Sequence, residues 1–429
     1  MVTAAFVNIW GKRVGAIIWE ESKRMASFQY EKAFLSNGWD LAPLKMPLSD
    51  GNIVHRFSNL SNNETFNGLP GLLADTLPDQ YGHQLINAWL LKNGRTENYM
   101  NPVEQLCFIG ERGMGALSFE PSKMPKTDQN FELEVNSLVE IAAKVLNTRK
   151  NFSTNLKENE QQAMQDLLKV GTSAGGARPK AIISYNKNTA EVQSGQAKAA
   201  KGFEQWILKL DGVSNDQFVN SKGFGRIEMA YYNMASDCGI NMMESRLLEE
   251  NDRAHFMTKR FDRTADNHKI HMQTFCAMRH FDFNNVNSFS YEQLFETMRL
   301  LHLPYLQAEQ LFRRMVFNVI ARNCDDHTKN FAFCLAQDGE WELSPAYDIC
   351  HAYRPDSIWV NQHALSINGK RQDHTREDLL TVAQSMNIKK ANQLIDHILE
   401  IMKKWKEYAS ECGVSKQQIT AIERTFVTL

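Results

Sequence analysis

An island of charge between two hydrophobic runs constrains this chain more than any other feature. In VIARNCDDHTKNFAF (319–333), Val319 and Ile320 lie on one side and Phe331 and Phe333 on the other. Between them stand Asp325, Asp326, His327, Lys329 and Asn330. The apolar ends belong in a core. Charges carried in with them are costly unless they are paired or bound to a cation. The stretch therefore predicts a loop anchored at both ends, with partners supplied for its polar middle. Asp325 and Asn330 have the spacing D-x-x-x-x-N, and Asp348 follows in LSPAYDIC. Upstream lie a Gly-rich loop (171–176), Lys209 in a strand pattern and Glu228 in a helix pattern. Phosphoryl transfer calls for this set in this order. A glycine-rich loop lets backbone N–H groups approach phosphates, and a lysine held by a glutamate neutralises phosphate oxygens. One aspartate orients and deprotonates the attacking hydroxyl, while an asparagine and a second aspartate hold Mg²⁺. Each piece alone is weak: D-x-x-x-x-N recurs by chance, and Asp348 also suits a helix N-cap. Their ordered co-occurrence carries the weight.

The rest of the chain supplies a mixed framework. AAFVNIW and VGAIIWE read as two strands around a Gly-Lys-Arg turn, followed by the extended, Pro-punctuated LAPLKMPL. In the next segment Tyr81, Leu85, Ile86, Trp89 and Leu90 repeat at helical spacing. GERGMGALSFEP (110–121) reads as a Gly-rich loop and strand in a tight hairpin, with no chemistry assigned to it. Two helical patterns span 135–169, then strands follow at AIISY and FEQWILKLDG. FGRIEMAYYNMASDCGI predicts a helix ended by Gly239, and ESRLLEENDRAHFMTKRFDR a hairpin. From about 285 helical patterns dominate. These runs predict an α+β chain in four parts: a β-rich N-terminal module (1–121), a polar linker (122–134), a nucleotide-binding lobe (135–265) and a helical lobe (266–429).

Composition limits the alternatives. The 429 residues carry 48 Lys+Arg against 50 Asp+Glu, a net charge of −2, which argues against broad electrostatic binding of nucleic acid by this chain itself. No apolar run approaches the roughly 18 residues of a membrane span, and charges interrupt the apolar N-terminus, unlike a secretory signal. Seven cysteines are scattered singly, which predicts free thiols and a cytoplasmic location.

ARNCDDHTKNFAF, LSPAYDI, GTSAGGARPKAII and MTKRFDR strongly resemble the HipA family of bacterial serine/threonine kinases, the toxins of HipA–HipB systems. MQTFCAMRHFDFN, YEQLFETMRLL, LSINGKR, VNIWGKRVG, LAPLKMPL and FNGLPGLLADTLPD resemble the same family in the same order, over about 5–405. The resemblance implies a protein-kinase-like fold and use of ATP and Mg²⁺. Asp325 would be catalytic, with Asn330 and Asp348 the metal ligands. His327, Lys209, Gly175 and Gly176 would lie near the phosphates, supported by Glu228. Lys259 and Phe261 would flank adenine in the hinge. Ser173 would belong to the nucleotide loop and be its autophosphorylation site. A HipB-like helix-turn-helix antitoxin is the implied partner, with operator DNA reached through it. The substrate would be a protein, with aminoacyl-tRNA synthetases as the analogy. Departures are Asp326, where many members have Gly; Lys259, at a position often held by Glu; and SAGGARPK, in place of VAGAQEK in the best-known toxin. They put substrate identity in doubt more than the chemistry. The sequence leaves open whether Asp326 caps, pairs with an arginine such as Arg322, or adds charge near the metal.

Two rivals remain in view. A two-metal phosphohydrolase would use Asp325, Asp326, His327 and Asp348 as ligands, but leaves Lys209 and the Gly loop without work. A non-catalytic co-regulator would keep the kinase fold and act with a DNA-binding partner.

Overall fold

A computed structural model describes residues 2–96, 99–123, 130–147, 158–172, 178–213 and 222–429. Ser173, Gly175 and Gly176 lie outside the described residues. The architecture is α+β, with a β-rich N-terminal part and a mostly helical C-terminal part. The chain divides into two compact units: Met1–Trp39, Leu48–Gly225 and Ser245–His271 make one; Asp40–Pro47, Arg226–Glu244 and Met272–Leu429 make the other.

The first unit holds two five-stranded sheets. In the N-terminal sheet the strand order is His55–Arg56, Met25–Tyr30, Lys12–Glu20, Ala4–Ile9, Leu117–Glu120. Its first hairpin turns at Trp10 (φ 46°) and Gly11 (φ 75°). That is the positive-φ pair that follows strand twist, so Lys12 and Arg13 enter the second strand rather than the turn. The segment 110–121 does not form a local hairpin: Leu117–Glu120 pairs with Phe6–Ile9. The second sheet is antiparallel, in the order Val192–Ser194, Lys180–Tyr185, Glu204–Lys209, Arg253–Lys259, Ser245–Glu250. Its terminal hairpin turns at Asn251 and Asp252, both with positive φ. Helices Gln80–Lys92, Val135–Asn147 and Glu158–Gly171 supply Tyr81, Leu85, Leu138 and Leu167 to one core with Ile183, Trp206 and Met257. The apolar stripe predicted at 81–90 is the stripe that is buried.

In the second unit, helices Phe275–Arg279, Tyr291–Leu300, Tyr305–Ile320, Arg376–Ser385, Ala391–Met402, Trp405–Glu411 and Lys416–Glu423 gather around a core containing Phe312, Phe317, Ile395 and Trp405. Helix Phe224–Asp237 stops as its sequence predicts: Ile240 N–H donates to Ala235 C=O and Gly239 N–H to Ser236 C=O, with Gly239 at φ 73°. This double bond pattern satisfies the last carbonyls, and only glycine adopts the left-handed turn without strain. Short strands that the helical patterns concealed also occur here. Ala332–Leu335 pairs with Trp341–Leu343, and Phe289–Ser290 runs parallel to Leu365–Ser366. All seven cysteines are free thiols. Among the described residues, no helix is long and apolar enough to cross a membrane.

Candidate active site

The loop at 321–331 follows the Tyr305–Ile320 helix and leads into the Ala332–Leu335 strand. Both anchors are core: Val319, Ile320, Phe331 and Phe333 are all buried. Between them the side chains alternate in environment. The Asp325 side chain is 50% exposed and that of His327 is 23% exposed. Asp326 is 1% exposed. Adjacent carboxylates thus face solvent and the interior respectively.

Asn330 closes the loop on itself, its Nδ2 donating to the Asp325 carbonyl at 2.6 Å. That bond fixes the amide so that its carbonyl oxygen occupies the opposite branch. A single 3₁₀ turn, Thr328–Asn330, joins the two, and His327 Nδ1 accepts from Lys329 N–H at 3.2 Å. His327 Nε2 stands 3.8 Å from Asp325 Oδ1. The segment 279–283 braces this turn: Thr328 Oγ1 donates to Phe281 C=O (3.0 Å), and the Phe283 ring lies 5.3 Å from the His327 ring. Lys329 Nζ sits over Phe283, 4.6 Å from its centroid. Tyr347 OH donates to the Lys329 carbonyl at 2.7 Å, which ties the LSPAYD segment to the loop.

Asp348 has φ 53°, a left-handed conformation that aspartate tolerates better than most residues. Its carbonyl accepts a long bond from Asn323 Nδ2 at 3.5 Å. Arg322 also has positive φ, 54°. Two such residues beside one polar loop mark a backbone held against its preference by its surroundings.

Asp326 is the feature the sequence left undecided. Its carboxylate accepts from Tyr291 OH (2.9 Å), His363 Nδ1 (2.8 Å) and Ala364 N–H (2.7 Å). Arg322 has other work: its Nε donates to Thr425 C=O (2.9 Å), and its guanidinium covers Tyr353 at 4.7 Å. Burial by itself would depress His363, but the Asp326 carboxylate outweighs it and lifts the imidazole above its ordinary value. Tyr291, Asn318, Asn323 and His363 therefore belong to the loop's support, a role the sequence did not assign to any of them. The signal available was the Asn-Gly turn in HALSINGKR. Asn368 (φ 49°) and Gly369 (φ 77°) reverse the chain, Ile367 and Lys370 exchange backbone bonds across it, and His363 N–H bonds to Arg371 C=O.

In the first unit, Lys209 ends its strand directly opposite Lys180 on one side and Phe256 on the other. Its Nζ lies 5.7 Å from the Phe256 centroid. Two lysines thus stand in register at that end of the sheet. Lys259 is paired with Glu204 at 2.6 Å, and Glu204 also holds Lys187 at 2.9 Å. Phe261 is half-buried in the next turn. The segment 260–263 also carries a buried ionic cluster. Asp262, fully buried, accepts from Arg260 at Nε (2.8 Å) and Nη2 (2.7 Å), from Arg263 Nη1 (2.8 Å) and from Gly115 N–H (2.7 Å). The Gly-rich 110–115 loop is thus shaped around this carboxylate. Glu228 is buried in the second unit on the Phe224–Asp237 helix.

Asn330 and Asp348 offer hard oxygen donors of the kind Mg²⁺ takes, which usually keeps several waters as well. Among the described residues, no group of three or more His, Cys, Asp or Glu is arranged to hold a metal ion. Asp326, one of the four ligands a two-metal phosphohydrolase would need here, is committed to internal hydrogen bonds.

No curated protein matches the chain. A solved structure with a similar fold is HipA in a Shewanella oneidensis MR-1 complex of the toxin–antitoxin system HipA, HipB and its operator DNA. It is 17% identical, covers 98% of this chain and 95% of its own, and has a TM-score of 0.69. The Helicobacter pylori proinflammatory kinase CtkA, 14% identical over 58% of this chain and 92% of its own, reaches a TM-score of only 0.33. The HipA N-terminal domain family matches residues 5–120, and the HipA-like C-terminal domain family matches residues 172–409. Together these matches span both the β-rich N-terminal part and the loop that carries Asp325, and the chain belongs to the HipA family.

Proposed function

We propose that this chain is an ATP- and Mg²⁺-dependent protein serine/threonine kinase of the HipA toxin type. The observation that carries the reading is the 325–330 loop: a solvent-facing Asp325 is fixed by Asn330 and joined through Asn323 to the backbone of Asp348. In this reading residues 135–265 form the nucleotide-binding lobe and 266–429 the catalytic lobe. Asp325 orients the acceptor hydroxyl and takes its proton. Asn330 and Asp348 would hold Mg²⁺, which when bound neutralises charge on the phosphates. Lys209 contacts phosphate oxygens, with Glu228 supporting it and His327 nearby. The 171–176 loop, with Ser173, Gly175 and Gly176, covers the phosphates. Lys259 and Phe261 line the adenine side. Ser173 is an autophosphorylation site, where a phosphate adds about −1.5 to −2 charges and so opposes ATP binding.

The Shewanella protein's assembly with HipB and operator DNA supports a HipB-type antitoxin, in our reading a helix-turn-helix protein, as partner here, with DNA contact through that partner; the substrate we infer is a cytoplasmic protein. An aminoacyl-tRNA synthetase is the substrate class we would try first. The test is phosphate transfer from labelled Mg-ATP by the wild-type chain and by Asp325→Ala, with mass spectrometry of the 171–176 loop. The kinase reading predicts transfer by wild type, at least 10²-fold less by the variant, and phosphate on Ser173. Phosphate on Thr172 alone would move that site by one residue. Full antitoxin binding by a wild-type chain that transfers no phosphate would favour the co-regulator instead.

A further inference from the structure

Asp326 is a buried carboxylate that the proposed chemistry leaves without a role. It does not touch solvent, and each of its oxygens is spoken for: Oδ2 by Tyr291 OH and His363 Nδ1, Oδ1 by Ala364 N–H. The bonds continue outward from it. Tyr291 OH accepts from Asn318 Nδ2 (3.0 Å), and Asn318 Oδ1 accepts from Asn323 Nδ2 (3.0 Å). The same Asn323 amide reaches the Asp348 carbonyl at 3.5 Å. In the other direction Asp326 is joined by one peptide bond to Asp325, whose carbonyl holds Asn330. Hydrogen bonds and one peptide bond thus link Asp326 to the backbone carbonyls of Asp348 and Asp325, and through the latter to the Asn330 amide.

Stability alone does not account for burying this pair. Apolar residues of similar volume would serve stability as well or better. What a buried ionic pair adds is a unique geometry, since its partners satisfy it in only one arrangement. We propose that Asp326 is the positioning residue of this site: clamped by His363, Tyr291 and Ala364, it fixes the 325–326 peptide and thereby the aim of Asp325 and Asn330. The inference rests on the kinase reading above. Tyr291, Asn318 and Asn323 carry the same constraint to Asp348.

The experiment uses the full chain with Asp326→Asn, Tyr291→Phe and, as reference, Asp325→Ala. Rates of Mg-ATP turnover, KM for Mg-ATP and thermal midpoints are measured together. An amide offers one acceptor oxygen where the carboxylate offers two, so Asp326→Asn releases either Ala364 or the Tyr291–His363 side. The aim of Asp325 then loosens. A displacement near 1 Å is enough for a loss of about 10²-fold. The expected result is kcat down roughly 10–100-fold with KM within about threefold, and a smaller loss of the same kind for Tyr291→Phe. A folded Asp326→Asn with kcat within about twofold of wild type, or a change confined to KM, overturns the proposal. Should Asp326→Asn fail to fold, Tyr291→Phe decides by the same split. Loss in Asp325→Ala beside full turnover in Asp326→Asn removes the positioning role alone. A wild-type chain without turnover removes the kinase reading and this one with it.

Discussion

Asp262→Ala tests whether the segment 260–263 is held by charge. The wild-type carboxylate is fully buried. Burial would raise its pKa, but Arg260 and Arg263 hold it well below the usual carboxylate range. Truncation leaves the Arg260 guanidinium, itself 2% exposed, without a counter-charge. It also removes the acceptor of Gly115 N–H and the carboxylate partner of Arg263, which keeps the Gly115 and Asp262 carbonyls. Breaking a buried pair by removing one partner costs about 3–5 kcal/mol, because an uncompensated charge stays behind. The orphaned Gly115 N–H alone would cost about 1–3 kcal/mol, and the two effects are not additive. A loss of at least ~3 kcal/mol corresponds to a factor of more than about 10² in the folding equilibrium. For a chain of 429 residues, at roughly 1 °C per kcal/mol, the unfolding midpoint falls by at least ~3 °C. The assay is thermal and urea unfolding of the full chain followed by tryptophan fluorescence. Trp10 is a suitable reporter because its indole donates to Lys269 C=O at 2.7 Å, in the loop that follows the cluster. A triple change to apolar residues, Arg260→Met with Asp262→Leu and Arg263→Met, is expected to recover most of the loss, since the intact network contributes little net stability. A single Asp262→Ala that costs under about 1 kcal/mol would refute the reasoning.

Other outcomes follow from the same kind of argument. His363 is raised in the folded state by Asp326, so its contribution is fully present below the unfolded value of about 6.5 and is lost as pH rises through the folded value. Wild type should therefore lose stability relative to Asp326→Asn/His363→Gln as pH rises above neutrality, and parallel unfolding curves for the two would contradict this. Gly225→Ala would place a Cβ 1.9 Å from Ala254 C=O and 2.9 Å from Phe256 N. Backbone must move, and a destabilisation of more than ~2 kcal/mol is expected from urea unfolding. Gly369→Ala meets no atoms but sits at φ 77°, so its cost is expected near 1 kcal/mol from backbone strain alone, with turnover nearly unchanged.

The comparison of sequence with structure turns on how local each feature is. Gly239 ends its helix because a positive-φ cap is a property of one residue and its immediate carbonyls, so the sequence alone predicts it. The stripe at Tyr81, Leu85 and Ile86 predicts both a helix and its buried face. The α+β order, β-rich first and helical later, is legible in the same way, and the family was recognisable from ordered motifs over nearly the whole length. Three features were not legible. Leu117–Glu120 pairs with Phe6–Ile9 across more than a hundred residues, so its local Gly-rich sequence suggested a hairpin that does not form. Short strands such as Phe289–Ser290 are specified by a distant partner, Leu365–Ser366, and carry too few residues for a period. Asp325 and Asp326 are identical side chains one position apart; the D-x-x-x-x-N spacing to Asn330 selects Asp325, but nothing in the sequence decides what Asp326 does. Tertiary structure does: the chain turns one to solvent beside Asn330 and buries the other against Tyr291 and His363. Those partners come from a helix N-terminus and an Asn-Gly hairpin far along the chain, and an ionisable group's surroundings, unlike its identity, are set only when such segments meet.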